Sequence, residues 1–317
     1  MEQQKPVVIF VVGPTAVGKT ETTISLAKEL NGEIIYADSM QIYKGMDIGT
    51  ATPTLEEMDG IPHHLVDVVN PDENFSVAEY EKLAKDHIRR ILNKGKTPIV
   101  SGGTGLYINS LLFDMDFGDA HSNPELRKKY YRTAEVEGND VLHQQLMKID
   151  PRAALEIHPN NVIKVVRALE INYETGKNVG NFRENPRPVV EYRPIVIALS
   201  RKRKDLYERI NRRVDLMIED GLIDEVRTLL EKGYERDSVA FKGLGYKEII
   251  KYIDGEYPLH DAVRILKRNT RRFAKRQLTW FKRYDSLKWF QVDRYEKQQD
   301  LLKDIISYIN EQRENGQ

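Results

Sequence analysis

The 317-residue sequence has no cysteine. Disulfides, thiolate zinc sites, iron–sulfur clusters and cysteine nucleophiles are thereby excluded, and a reducing cytoplasm is the expected compartment. Long apolar runs are also missing. The longest, Val7–Val12, has six residues, against the roughly eighteen needed to span a bilayer. The opening Met-Glu-Gln-Gln-Lys-Pro shows no hydrophobic signal region, so no membrane is expected as a partner. Neither sign of charge is in excess, with 49 basic and 49 acidic residues. A neutral total argues against a polyanion partner only where charge is spread evenly, and here it is not. Residues 201–213 hold seven basic and two acidic residues, and residues 264–283 hold nine basic and none acidic. Sixteen basic against two acidic is a net of +14, so the other 284 residues sum to −14. Residues 38–86 alone carry eleven acidic and three basic residues.

What is present is a soluble, core-forming composition, 40% apolar and 31% charged. The length suits two ordinary domains or one large domain with an insertion. Val7–Val12 is short, continuous and β-branched, as in a strand buried on both faces of a parallel sheet. A helix is expected over residues 19–30, a strand over 33–36, a helix from Ser76 with capping-box spacing to Asn93, and a strand over 97–100. Strands alternating with helices predict an α/β, doubly wound parallel sheet flanked by helices. From about 116 to 193 the texture is helical. Capping residues stand at Asn123, Asn139, Asp150 and Asn160-Asn161, the last helix stops at Gly176, and a proline- and arginine-rich linker covers 183–194. A strand at 195–199 resumes the sheet, and another is expected at 288–292. The division read from this pattern is a core over 1–115, an all-helical insertion over 116–194, and completion of the core over 195–317.

The chemistry starts at Gly13-Pro14-Thr15-Ala16-Val17-Gly18-Lys19-Thr20, which fits the P-loop pattern and sits between a strand and a helix. Backbone N–H groups and the helix dipole converge there on an anion, Lys19 adds a point charge, and the Thr20 hydroxyl is a magnesium ligand candidate. A phosphorylated ligand with Mg²⁺ is implied, whereas nucleotide hydrolysis is not. Asp38 follows a strand beside that loop, at the carboxyl ends of the strands where ligands sit in such folds. It reads as a general base, a metal ligand or a plain turn aspartate.

Six segments then resemble one family: Gly-Pro-Thr-Ala-Val-Gly-Lys-Thr (13–20), Asp-Ser-Met-Gln-Ile-Tyr (38–43), Gly-Met-Asp-Ile-Gly-Thr-Ala (45–51), Pro-His-His-Leu (62–65), Gly-Gly-Thr-Gly-Leu-Tyr (102–107) and Lys-Arg-Gln-Leu-Thr-Trp-Phe (275–281). In this order they resemble the tRNA dimethylallyltransferases, the isopentenyl-tRNA transferases of bacteria and organelles. The resemblance implies a P-loop NTPase-like fold. It also implies transfer of a dimethylallyl group from dimethylallyl diphosphate to the exocyclic amine of the adenosine 3′-adjacent to the anticodon, with release of diphosphate and a need for Mg²⁺. Length and the missing cysteines fit the bacterial type, because eukaryotic relatives tend to append a zinc finger. Asp38 matches the family's general base, Thr104 a residue beside the reacting amine, and Arg209 an arginine on the diphosphate. One departure, Gly105-Leu106, where many relatives carry a bulkier residue, is expected to matter little.

By the same resemblance the tRNA anticodon stem-loop contacts Asp38, Ser39, Met40, Gln41 and Thr104. In the insertion it contacts Arg127 and Val162, Ile163, Lys164, Val165 and Val166. A third segment is Ala240, Phe241, Lys242, Gly243, Leu244 and Gly245, whose glycines read equally as a plain helix entry. The fourth is the basic helix, through Arg272, Lys275, Arg276, Gln277, Thr279, Trp280 and Lys282. Twenty residues without a counter-charge, interleaved with aromatics, suit a phosphate backbone. His63 and His64 are not expected to bind metal. A monomer is expected, since nothing demands an oligomer. Rival readings are a P-loop kinase with ATP in the loop, a prenyltransferase of free adenine nucleotides, and a non-enzymatic RNA-binding module. The basic helix with Trp280 speaks against the first two, and Lys19, Thr20 and Asp38 against the third.

Overall fold

A computed structural model describes residues 5–115, 123–176, 178, 187–284 and 287–315. Its strands are β1 (Val7–Val12), β2 (Gly32–Ala37), β3 (His63–His64), β4 (Thr97–Gly102), β5 (Phe113–Asp114), β6 (Arg187–Pro188), β7 (Arg193–Ser200) and β8 (Lys288–Gln291). The helices are α1 (Lys19–Glu29), α2 (Leu55–Met58), α3 (Val77–Asn93), α4 (Gly105–Leu112), α5 (Pro124–Val136), α6 (Asn139–Ile149), α7 (Pro151–Glu156), α8 (Val162–Thr175), α9 (Arg203–Glu219), α10 (Leu222–Glu231), α11 (Tyr246–Ile253), α12 (Leu259–Phe281) and α13 (Gln298–Glu314). The chain divides into two compact units, 1–112 with 189–317, and 113–188. The expected insertion start at 116 and part of the expected linker, 183–186, lie outside the described residues.

The larger unit holds a six-stranded parallel sheet in the order β3-β2-β4-β1-β7-β8. Its central strands are apolar on both faces because helices cover both, and Val8 to Val12 are fully buried. Register decides where function sits. Val12 pairs with Gly102 and Ala198, and Gly102 pairs with Ala37. The residues that follow these strands, Gly13, Asp38 and Gly103, therefore emerge side by side at the carboxyl end of the sheet. One core cluster joins the sheet (Ile9, Val11, Ile34, Ile197) to α1 (Ile24, Leu26), α9 (Leu206, Ile210), α12 (Ala274) and α13 (Leu301, Ile305).

The capping box of α3 forms as the spacing predicts: Glu79 N donates to Ser76 Oγ at 3.2 Å and Ser76 N to Glu79 Oε2 at 2.7 Å. In the smaller unit, Asn123 and Asp150 cap α5 and α7 through Leu126 N and Ala153 N, each at 3.0 Å. Two expected caps differ. Asn139 is the first residue of α6, whose cap is Gly138, and its amide donates to Asn160 Oδ1 at 3.2 Å instead. Asn161 precedes α8 without a side-chain cap bond. This unit has its own core of Leu142, Leu146, Ala153, Ala154, Ile157, Val165, Val166, Ala168 and Leu169, with β5 and β6 paired antiparallel beside it. His63 and His64 form the short edge strand β3, which periodicity does not signal in two residues. His64 Nε2 lies 2.8 Å from Glu33 Oε2 and His63 Nδ1 lies 3.1 Å from the Tyr36 hydroxyl. Neither gathers a metal-ligand set, and no such cluster occurs among the described residues.

Candidate active site

Gly13 begins the phosphate loop with φ +152°, and a Cβ there would sit 2.7 Å from the Leu199 carbonyl oxygen. Only glycine lets the chain turn this close to β7. The loop closes on its own lysine: Lys19 Nζ donates to the carbonyls of Gly13 (3.0 Å) and Pro14 (2.8 Å). Burial brings the Lys19 ammonium down to about 8; the Asp38 carboxylate opposes that fall and the Arg213 guanidinium adds to it.

Three arginines converge on the same loop. Arg209 Nε donates to Ala16 O (3.0 Å), Arg201 Nε to Val17 O (2.9 Å), and Arg213 Nη1 to Thr15 Oγ1 (3.3 Å). Burial and the neighbouring Arg209 charge lower both Arg213 and Arg201. Four cations on one loop repel one another, which makes the loop a receptor for a multiply charged anion. Arg209, the arginine that the resemblance assigns to the diphosphate, reaches this loop from α9. Arg201 and Arg213 belong to the basic run at 201–213, and the structure aims them at the phosphate loop. The available signal was spacing: 209 and 213 lie four apart on α9, hence on one side of the helix.

Asp38 leaves β2 in an Asx turn, with Met40 N donating to Asp38 Oδ1 at 2.9 Å. Thr104 leaves β4 beside it. Its N–H donates to Ala37 O (3.1 Å) and its Oγ1 accepts from Ser39 N (3.0 Å). Gln277 on α12 ties this corner to the phosphate loop, accepting from Thr15 N at 2.9 Å and donating to Gly103 O at 3.0 Å. A cavity of about 300 Å³ opens among Thr15, Lys19, Thr20, Asp38, Ser39, Met40, Arg213, Lys242 and Arg276, with Val214, Met217, Leu266 and Phe273 as apolar lining. A second cavity, of about 720 Å³, holds Arg209 and Arg212 and shares Thr20, Ala51, Arg213 and Met217 with the first.

The other expected contact residues separate into inner and outer groups. On α12, Arg272, Lys275, Arg276 and Thr279 are exposed, as is Lys282 just after it, whereas Gln277 is buried. In the segment 240–245, Ala240 and Phe241 are buried and Lys242 is exposed. In the smaller unit, Val165 and Val166 are core residues, while Ile163 is 70% exposed and Lys164 is exposed beside the half-buried Val162. The Arg127 guanidinium is committed to the fully buried Glu170, at 2.8 and 2.9 Å. Gly105 is not the neutral position expected. A Cβ there would lie 2.3 Å from Trp280 Nε1, so glycine is what lets the indole lie against the start of α4. Arg283 covers that indole with its guanidinium carbon 4.0 Å from the ring centroid.

Comparison with known proteins gives a consistent result. Residues 41–284 match the family model described as IPP transferase. A tRNA dimethylallyltransferase of Alkaliphilus oremlandii is 56% identical over 306 residues, 95% of this chain and 98% of that protein. The crystal structure of a tRNA isopentenylpyrophosphate transferase from Bacillus halodurans superposes with a TM-score of 0.74 at 44% identity, covering 98% of both chains. A eukaryotic dimethylallyltransferase acting on tRNA superposes with a TM-score of 0.75 at 33% identity, over 87% of this chain and 70% of that one. The chain belongs to the IPP transferase family.

Proposed function

We propose that this enzyme transfers a dimethylallyl group from dimethylallyl diphosphate to the exocyclic amine of the adenosine 3′-adjacent to the anticodon of tRNA, releasing diphosphate. One observation carries the reading: a single cavity has the phosphate loop, Lys19 and Arg213 on one wall and the Asp38 carboxylate on another. The first wall suits a diphosphate. The second suits the proton of an amine. An adenine amine is a poor nucleophile, because its lone pair is delocalised into the ring. The carbon–oxygen bond to diphosphate breaks, the nitrogen–carbon bond forms, and the amine proton passes to Asp38. Oδ1 of Asp38 is held by Met40 N, which leaves Oδ2 for that proton. Base assistance of this kind contributes a factor of about 10²–10⁴. Lys19, Arg209, Arg213 and the loop N–H groups stabilise the charge that builds on the leaving oxygen. Thr104, bonded to Ser39 N, orders the corner where the adenine enters, and the base leaves its stack to reach it.

Thr20 lines the same cavity and offers a hard oxygen donor suited to Mg²⁺. Among the described residues no cluster of three acidic, His or Cys side chains gathers, which fits a cation that takes most ligands from water and phosphate. Bound there, Mg²⁺ would neutralise charge on the departing diphosphate. The exposed cations of α12 and the exposed Ile163 and Lys164 of the insertion are the surfaces offered to RNA. We take the enzyme to act as a monomer, and the tRNA substrate supports a cytoplasmic location. No helix among the described residues is long and apolar enough to cross a membrane.

The test is incubation with dimethylallyl diphosphate, Mg²⁺ and unmodified tRNA, followed by nucleoside mass spectrometry. Prenylated adenosine at the anticodon-adjacent position is expected. Unmodified tRNA together with ATP consumption on a small metabolite would transfer the reading to the kinase.

A further inference from the structure

Glu225, on α10, is not among the residues the reaction above uses, yet its carboxylate is fully engaged behind a segment that lines the cavity. Oε2 accepts from the backbone N–H groups of Asp47 (2.9 Å) and Ile48 (2.7 Å), and Oε1 accepts from Gly49 N (3.1 Å) and the Tyr246 hydroxyl (2.6 Å). Three consecutive backbone N–H groups pointing at one site form an anion nest. Here the protein fills the nest with its own carboxylate. The arrangement has an electrostatic cost, because burial and the Glu225 charge both push the nearby Asp47 carboxyl above its ordinary range. Simple chain connection does not require a fourfold-bonded carboxylate among other carboxylates.

The clamp fixes a close approach. A Cβ on Gly49 would lie 2.5 Å from the Tyr246 ring, so the strand of backbone at 47–49 lies directly on that ring. Beyond it, Gly49, Thr50 and Ala51 line the 300 Å³ cavity. The same stretch is gripped from the other side by Gln41 Nε2, which donates to Thr50 O (3.4 Å) and Ala51 O (3.2 Å). Gln41 belongs to the loop that starts at Asp38. Tyr246 in turn follows Lys242-Gly243-Leu244, which line the same cavity. Glu225 thus ties the 47–49 backbone to Tyr246, each next to a segment that lines the cavity, and Gln41 ties the adjoining Thr50 and Ala51 to the loop carrying Asp38.

We infer that Glu225 is a positioning residue for prenyl transfer: by clamping the 47–49 amides and the Tyr246 hydroxyl it fixes the cavity walls around the acceptor amine and the Asp38 carboxylate. The inference rests on the function proposed above. A carboxamide cannot replace it, because its NH₂ group would face backbone N–H donors.

The experiment compares E225Q, E225D and Y246F in the full chain by hydrogen exchange and steady-state kinetics. E225Q is expected to lose about tenfold or more of the exchange protection of the 47–49 amides, since the bonds lost are charge-assisted. Its kcat is expected to fall about 10–100-fold from misplacement of the wall, with tRNA affinity within twofold of wild type. Y246F, keeping three of the four bonds, should show a smaller fall. E225D should recover part of kcat, since it keeps the charge. Combining Y246F with E225Q should cost less than the two separate losses together. Wild-type protection and kcat in E225Q would overturn the inference, as would a loss of activity that only tracks the fraction of unfolded protein. If the wild-type enzyme did not prenylate tRNA at all, the proposed function would fail, and the exchange of the 47–49 amides would still decide the clamp.

Discussion

Lys19 sits at a balance of opposing fields, and its titration is accessible to experiment. Burial carries its ammonium down to about 8, Asp38 resists, and Arg213 adds to the fall. The charged form binds diphosphate, so kcat/KM for dimethylallyl diphosphate should decline as pH rises through about 8, since this parameter reports the free enzyme. Lys19→Arg should abolish that decline, because a guanidinium stays charged; a pH profile for both proteins checks it. Asp38→Asn should lower kcat by roughly 10² or more while tRNA affinity stays within twofold. A large affinity loss at unchanged kcat would contradict its role as base. The two residues differ from Arg213 in legibility. Motif spacing marks Lys19 and Asp38 directly. Arg213 looks like one more charge in a basic run, and only the fold shows it donating to Thr15.

Helix α12 shows what periodicity reveals and what it hides. Its inner face carries Ala262, Leu266, Thr270, Ala274, Gln277 and Phe281, all buried, so the basic run forms one helix as expected, while the aromatics Phe273 and Trp280 are only half-buried. The outer face presents Arg272, Lys275, Arg276 and Thr279, and Lys282 follows at the helix end. Arg272→Ala and Lys275→Ala should each weaken tRNA binding and reduce the slope of log K against log salt by about one. An unchanged slope in filter-binding titrations would remove this face from the RNA interface. The buried strands and the α3 capping box were legible because continuous β-branched runs and paired cap residues act locally. Polar residues inside the core were not. Gln277 shares the composition of the basic helix, but its amide bonds two loops that only tertiary structure brings together. Likewise Asn139 has the chemistry of a cap and spends it on Asn160, a partner twenty-one residues away.

At the scale of the whole molecule the two units have separate cores that share no residue. The chain leaves the larger unit and returns to it at adjacent points. Val189 N donates to Leu112 O at 3.0 Å and the Tyr192 hydroxyl to Leu111 O at 2.5 Å. Segments whose ends meet are the ones a domain tolerates losing, because closing the gap costs little chain entropy. Replacing residues 113–188 by a short Gly/Ser turn should therefore leave a cooperatively melting core with its phosphate loop intact. Such a variant should bind dimethylallyl diphosphate within a few-fold of wild type by calorimetry, since Lys19, Arg209 and Arg213 all lie in the larger unit. It should lose most tRNA affinity and turnover, because Ile163 and Lys164 are removed and only the contacts of the larger unit remain to hold the RNA. Retention of full tRNA affinity would show that the insertion is dispensable for docking. Loss of diphosphate binding in a folded core would show that the insertion supports the phosphate loop, which the contacts within the larger unit do not require.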